Sequence, residues 1–307
     1  MKRYRTVGWS RRIGYRLLPG DGYSYVLHLR PREWPIVAAH TLFGFLLAIP
    51  ESPDVIGRWP EALGGVLLFV VFLNGGTLAI NSAFDRDEGD VGYLDAPPPP
   101  PRHLFAFGTV LMASGLLLAA LLLPAPFAIV YAACVAMSLL YSVPPFRWKA
   151  VAGLDLVINA AGFGTLTALA GWTLADLPLS TWALTILLAF GPLFAALYPL
   201  TQLYQLDEDR ARGDRTLALA LGMRTSLIFS LMMAALAFVL LIAGLRAGPS
   251  GDLWPLILVP AALWFALLFR WLARYAVMSP SDHKRGMYHA LQAWALTNAA
   301  VLAAVLL

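Results

Sequence analysis

Two acidic clusters are the parts of this sequence whose residue types and spacing are best suited to chemistry. Four carboxylates fall within six residues at the end of one apolar run: Asp85, Asp87, Glu88 and Asp90. A second cluster, residues 205–209, ends another apolar run. Carboxylate oxygens are hard ligands suited to Mg²⁺, which keeps several waters and commonly bridges phosphate oxygens. Only 13% of the residues are charged, so two such clusters are the main indication of function.

Helical spacing adds an amide to the first cluster. Asn81, Asp85 and Glu88 stand at i, i+4 and i+7, which places them on one face of a helix. A single acidic helix end would be interpreted as a solvated loop, but two that both begin within apolar runs favour a metal–diphosphate site. The predicted metal ligands are Asp85, Asp87, Glu88, Asp90, Gln205, Glu208 and Asp209.

Basic residues beside the acidic clusters complete the predicted site. Arginine and lysine bind phosphate oxygens through charge-assisted hydrogen bonds. The predicted diphosphate-binding residues are Arg86, Arg102, Arg147, Lys149 and Arg215.

Several other polar residues lie in apolar surroundings. Asp155 and Asn159, at i and i+4 in the fifth apolar run, form a possible acceptor site with Gln202; alternatively, Asp155 pairs with Lys149 or Arg147 and orders the loop. The rings of two tyrosines could stabilise an allylic cation, or they could belong to the aromatic belt at the membrane surface. These are Tyr198 and Tyr204.

The composition indicates the element type that must position these groups. The 307 residues are 59% hydrophobic, with about half the charged fraction of a soluble domain. The apolar residues form continuous runs, many of them near the length needed to cross a bilayer as a helix. The prediction is an all-α membrane protein with nine transmembrane helices in one bundle. The runs are 35–50, 62–85, 103–123, 125–141, 152–171, 181–205, 217–245, 253–275 and 287–306.

The distribution of charge predicts the orientation. With the N-terminus in the cytoplasm, all but two of the 22 Lys and Arg residues, Arg58 and Arg246, fall on the cytoplasmic side. Residues 1–34 then form a basic segment on membrane lipids, and residues 35–307 the transmembrane domain. This bias accounts for the high pI without nucleic acid. We expect a multi-pass protein of the cell membrane with both acidic clusters on the cytoplasmic side.

Four segments resemble the UbiA superfamily of intramembrane prenyltransferases. Asn81 and Asp85 match the first Asn and the middle Asp of the family's Asn-Asp-x-x-Asp-x-x-x-Asp motif, whereas Ser82 and Gly89 depart from it. At the second motif, Gln205 and Asp209 align with the two Asp of Asp-x-x-x-Asp. The other similar segments are Arg30-Pro-Arg-Glu-Trp34, Tyr141-Ser-Val-Pro-Pro-Phe-Arg147-Trp-Lys149 and Gly213-Asp-Arg-Thr-Leu-Ala-Leu-Ala-Leu-Gly222.

The resemblance implies nine helices and Mg²⁺-dependent transfer of a prenyl group from a prenyl diphosphate to a lipophilic or aromatic acceptor. Asp87, Glu88 or Asp90 would replace the carboxylate missing at Gly89, and helical spacing favours Glu88. The predicted catalytic residues are Asn81, Asp85, Asp209, Tyr204 and Tyr198.

Two other functions stay open. A cation-coupled secondary transporter would need charges near the membrane midplane, and only Asp155 approaches that depth in the sequence. A lipid-binding protein of the same fold without catalysis would account for the altered motif positions Ser82, Gly89 and Gln205.

Overall fold

The computed structural model describes residues 8–85, 91–92, 94–206, 210 and 216–307. Within these ranges all regular secondary structure is helical apart from one isolated bridge between Val91 and Leu94, so the all-α prediction is confirmed. Two short helices come first, α1 (Trp9–Leu17) and α2 (Gly22–His28). Nine helices in this part of the chain are long and apolar enough to cross a membrane. They are α3 (Trp34–Glu51), α4 (Pro53–Asp85), α5 (Leu104–Leu122), α6 (Ala125–Ser142), α7 (Leu154–Thr173), α8 (Thr181–Thr201), α10 (Met223–Ala247), α11 (Gly251–Val277) and α12 (Pro280–Leu306), with the short α9 (Leu217–Leu221) before α10.

The predicted bounds differ from the structure at several places; α4, for example, begins at Pro53 and not at residue 62, and α8 ends at Thr201 and not at residue 205. The seventh apolar run is not one helix, because Gly222 adopts a φ of +74° and separates α9 from α10. The last helix begins seven residues before the predicted residue 287, at Pro280. Its first turn is polar but well capped: the Ser279 hydroxyl accepts from the Asp282 N–H, and the Asp282 carboxylate accepts from the Ser279 N–H. Hydropathy alone does not detect such a start.

The helices pack as neighbours around a continuous apolar core. Helix α8 lies along α10, α3 along α7, α4 along α5, and α11 along α12. Large side chains such as Trp172, Phe190 and Trp264 are fully buried. Leucine and valine side chains on the outer surfaces of α5 and α10 are exposed, for example Leu121 and Val239. This outer apolar surface is what contact with lipid requires.

A close backbone contact joins α3 to α7. A Cβ atom on Gly44 would overlap the carbonyl oxygen of Ala168, and one on Gly171 would overlap the carbonyl oxygen of Thr41. Small residues allow membrane helices to approach this closely. The contact fixes the spacing of two helices that line the cavity described below.

We predict that Gly171→Ala destabilises the protein by about 1–3 kcal/mol, the usual cost of overpacking. The matched control is Gly64→Ala in α4, where an added Cβ would meet no atom within 4 Å. Thermal unfolding in detergent should show a lower midpoint for Gly171→Ala and a midpoint near wild type for Gly64→Ala. Equal midpoints for the two variants would contradict the close contact.

Candidate functional site

At the centre of the site, side-chain oxygens of Asn81 and Asp85 at the end of α4 both contact the amino group of Lys149. Lys149 Nζ donates to Asn81 Oδ1 at 2.6 Å and also to Asp85 Oδ1. Arg147 Nη2 lies 3.5 Å from the same carboxylate oxygen. The Lys149 side chain is only 11% exposed, so water screens this pair weakly. The structure thus brings together four residues that the sequence assigned to the metal and diphosphate sites.

The loop between α6 and α7 places the two cations. Helix α6 ends at Ser142, whose hydroxyl donates to Asn81 Oδ1 at 3.3 Å, and prolines follow that cannot continue the helix. Arg147 then takes a left-handed backbone conformation, with φ +39°, and a short 3₁₀ turn spans Trp148–Ala150. This turn directs Lys149 back towards the end of α4.

A second polar group lies at the start of α7. The Tyr198 hydroxyl donates to Asp155 Oδ2 at 3.1 Å, and the Gly153 N–H donates to Asp155 Oδ1 at 2.8 Å. In the described part of the chain Asp155 pairs with Tyr198 and the Gly153 N–H, so the alternative in which it pairs with Lys149 or Arg147 is wrong. Asp155 lies in the first turn of its helix.

The remaining described residues of the predicted site lie apart from this group. Gln202 Oε1 accepts from the Ala218 N–H at 3.0 Å and so orders the start of α9. The ring of Tyr204 lies 5.9 Å from Lys284 Nζ. Gln205 follows in a bend of the chain, and Arg102 is exposed just before α5. The roles predicted for these four residues stay predictions.

Much of the two acidic clusters lies outside the described residues. Among the residues that the structure does describe, no three His, Cys, Asp or Glu side chains form a group that could hold a metal ion. Asn81 and Asp85 are the described part of the predicted first cluster. The predicted residues outside it are Arg86, Asp87, Glu88, Asp90, Glu208, Asp209 and Arg215.

A cavity of about 240 Å³ extends from Asn81 into the bundle. It is bounded by the start of α3 and by α4, α6 and α7. Its walls are mainly apolar, with a few polar side chains between them. The lining residues include Val37, Phe69, Leu73, Asn74, Thr77, Leu78, Asn81, Cys134, Met137, Ser138, Tyr141, Ile158, Asn159, Gly162, Phe163 and Thr167.

The sequence interpretation missed several polar residues of this cavity. Asn74 and Thr77 are the polar side chains of the run before Asn81, and the three stand at i, i+3 and i+7, a spacing that predicts one helix face. That signal was available in the sequence. Arg30 and Glu33 also line the cavity, but no local pattern points them towards it. Arg30 is 8% exposed. Burial raises the pKa of Glu33 to about 7, although the positive charge of Arg30 lowers that pKa in part.

The fold and the site define a class of protein. A membrane bundle with cations and a carboxylate at one helix end, above a mainly apolar cavity, suits a substrate with a charged head and an apolar tail. The comparison with known families agrees: residues 37–292 match the UbiA prenyltransferase family. The chain belongs to this family and is a membrane prenyltransferase.

Individual relatives support the assignment. The chain is 30% identical over 236 residues to a lycopene elongase/hydratase of Haloferax volcanii, and the match covers 71% of this chain and 73% of the relative. A UbiA homologue of Archaeoglobus fulgidus bound to DMAPP and Mg²⁺ has a similar fold, with TM-score 0.66, 21% identity, and coverage of 91% of this chain and 99% of the other. A digeranylgeranylglyceryl phosphate synthase structure matches with TM-score 0.67 and 16% identity, over 92% of this chain and 98% of that one.

We predict that Lys149→Met raises the KM for prenyl diphosphate about 10-fold to 100-fold, because charge-assisted hydrogen bonds contribute about 1.5–3 kcal/mol. The control is Arg246→Met, which removes a cation that contacts Trp254 in another part of the bundle. Steady-state kinetics of diphosphate release measures both. A Lys149→Met enzyme with wild-type KM and kcat would show that this lysine does not bind the diphosphate.

The pKa of Glu33 leads to a pH dependence of stability. Its folded pKa of about 7 lies above the ordinary 4.5, so the folded state retains a proton that the unfolded chain has lost. The stabilisation is complete below about pH 4.5 and is lost as the pH rises through 7. Glu33→Gln should therefore unfold at a higher temperature than wild type at pH 8.5. At pH 5 the difference should be smaller; a difference that does not vary with pH would contradict the shifted pKa.

Proposed function

We propose that this protein transfers the prenyl group of a prenyl diphosphate, with Mg²⁺, to an apolar polyene acceptor inside the membrane. The observation that carries the proposal is the convergence of Asn81 and Asp85 on Lys149 at the mouth of the cavity. A charged leaving group fits this mouth, and a hydrocarbon tail fits the walls below it.

The described oxygen pair fits part of a magnesium site. Asn81 Oδ1 and Asp85 Oδ1 already converge on one cation, which is the arrangement that a bound metal ion needs. The other ligands would come from the predicted acidic residues of the two clusters. When bound, Mg²⁺ supplies Lewis acidity that helps the C–O bond of the diphosphate to ionise. The Archaeoglobus fulgidus homologue bound to DMAPP and Mg²⁺ supports this assignment.

The cations of the α6–α7 loop would stabilise the leaving group. Lys149 and Arg147 lie against Asp85, so they are preorganised for the charge that develops on the diphosphate. Electrons of the breaking C1–O bond leave with the diphosphate. The prenyl C1 then forms a bond with the acceptor, whose alkene supplies the electron pair and becomes a cation. Loss of a proton from the neighbouring carbon to the released diphosphate restores a neutral product. The closely packed bundle would keep bulk water from the cation.

Two observations favour a polyene as the acceptor. The relative with 30% identity is described as a lycopene elongase/hydratase, and lycopene is a polyene hydrocarbon. The wall of the cavity below Asn81 carries apolar side chains from three helices, including Phe69, Met137 and Phe163. Such a wall suits a hydrocarbon chain end. The positive-inside distribution supports a site on the cytoplasmic side of the cell membrane.

The test uses purified protein in proteoliposomes with a radiolabelled prenyl diphosphate and a polyene acceptor. We expect diphosphate release and a prenylated polyene that both require Mg²⁺. Asp85→Ala and Asp209→Ala should each lower turnover by about 100-fold or more, as does loss of one preorganised group in other enzymes. The control Asp252→Ala removes an exposed carboxylate in the first turn of α11 and should keep wild-type turnover.

Three results would contradict parts of this proposal. Normal turnover in both Asp85→Ala and Asp209→Ala would refute the site assignment. Diphosphate release that continues in the presence of a chelator would refute the role of Mg²⁺. Prenyl transfer to another acceptor, with the polyene untouched, would refute the acceptor class.

A further inference from the structure

A second cavity, of about 450 Å³, opens between the end of α11 and the start of α12. The described residues that line it are different from those that line the cavity below Asn81. Most of its ionisable groups are basic, and both helices contribute them. We call this cavity the basic cleft, and its ionisable residues are Arg270, Arg274, Asp282, Arg285 and His289.

The spacing of the basic residues along both helices explains why they share one cleft. Arg270 and Arg274 are four residues apart on α11, so they lie on one face of that helix. Arg285 and His289 have the same spacing on α12. The two helices pack against each other, and these two faces meet at the cleft. Arginine side chains from both helices therefore border the same space.

The floor of the cleft is a close contact between the two helices. A Cβ atom on Gly286 would lie 2.6 Å from the Trp271 ring, so the absence of a side chain lets this ring lie against α12. The Trp271 indole N–H donates to His283 Nδ1 at 2.8 Å, and both side chains are buried. Because Trp271 and Gly286 line the cleft, its shape is set by this fixed contact and not only by the long side chains at its rim.

The three arginines of the cleft have donors available for a ligand. All three are exposed, and none forms an ion pair with a described residue. Among the described residues, the carboxylate of the cleft is that of Asp282. Its Oδ2 accepts from the Ser279 hydroxyl at 2.6 Å and from the Ser279 N–H at 3.1 Å, so it serves the cap of α12. Three guanidinium groups against one carboxylate suit a ligand with two negative charges.

The apolar surface next to the arginines favours a lipid over a soluble anion. Arg274 ends the α-helical part of α11, and Arg270 lies about one turn deeper in the span. Leu267 lines the cleft below them. Leu263 and Val259 continue this row at intervals of four residues, and both are exposed on the outer surface of α11. An acyl chain could lie along this row while the arginines contact the headgroup.

We propose that the basic cleft binds an anionic phospholipid whose headgroup carries two negative charges. Its phosphate oxygens would accept from Arg270, Arg274 and Arg285, because guanidinium groups bind phosphate through paired hydrogen bonds. On the predicted orientation this end of α11 and α12 faces the cytoplasm, and basic pockets between helices on that side bind anionic headgroups. The inference goes beyond the proposed function and does not rest on it, since prenyl transfer there uses none of the cleft residues.

The experiment measures the binding of single lipids to the purified protein in a neutral detergent by native mass spectrometry. The wild type should bind cardiolipin, which has two phosphate groups, more tightly than phosphatidylglycerol, which has one. It should bind zwitterionic phosphatidylcholine most weakly. The double variant Arg274→Gln/Arg285→Gln should raise the Kd for cardiolipin at least about tenfold, through the loss of charge-assisted hydrogen bonds from both helices.

The control variant is Arg224→Gln. Arg224 is an exposed arginine in the first turn of α10, and it does not line the basic cleft. Its Kd for cardiolipin should equal that of the wild type. Thermal unfolding gives a second measurement and shows that each variant is folded. Added cardiolipin should raise the unfolding midpoint of the wild type and of Arg224→Gln more than that of the double variant, because a ligand stabilises the state that it binds.

Three results would overturn the proposal, and each would leave prenyl transfer intact. The first is an equal Kd for cardiolipin and phosphatidylcholine in the wild type. The second is an equal Kd for cardiolipin in the double variant and in the wild type, or an equal loss in Arg224→Gln, which would indicate attraction by overall charge. The third is displacement of cardiolipin by an equal concentration of inorganic diphosphate, which would make the occupant a soluble anion.

Discussion

The structure depends on the neutralisation of one carboxylate at the boundary of the hydrocarbon. Asp85 is the last residue of a membrane-spanning helix, where an unpaired charge is expensive. Its partner Lys149 comes from the loop between α6 and α7, 64 residues later in the chain. The pair therefore ties the end of α4 to that loop and, through it, to the start of α7. Removal of one member of such a weakly screened pair leaves an uncompensated charge. The Asp85–Lys149 pair therefore holds the two segments together and also places charged groups where a charged substrate would bind.

The cavity below this pair results from two opposite kinds of helix packing. The contact at Gly44 and Gly171 brings the backbones of α3 and α7 so close that a Cβ atom at either glycine would overlap the other helix. Both α4 and α7 also contain π-helical segments, Leu68–Asn74 and Ala160–Leu166, and residues of both segments line the cavity. Close contact on one side and wide turns on the other leave room for a ligand without a break in the backbone hydrogen bonds, which a membrane would not tolerate.

The features that the sequence predicted correctly depend on residues close together in the chain. The nine helices follow from apolar runs, and the convergence of Asn81 and Asp85 follows from their spacing of four. The Tyr198–Asp155 bond joins residues 43 apart and depends on how α7 packs against α8, so no local pattern contains it. The break at Gly222 also escaped detection, because hydropathy does not report backbone dihedral angles. The contact between Thr77 and Ser138 lies between these cases: Thr77 shares a helix face with Asn81, but Ser138 comes from another helix.

The polar residues of α4 follow an order that matches the chemistry of a prenyl diphosphate. A carboxylate stands at the mouth, the amide of Asn81 one turn below, and the neutral groups of Thr77 and Asn74 deeper still. A buried neutral group costs a few kcal/mol without a partner, whereas a buried charge costs far more, so charge is confined to the mouth and neutral polarity extends inwards. In the proposed function the diphosphate therefore stays at the mouth and the tail points inwards.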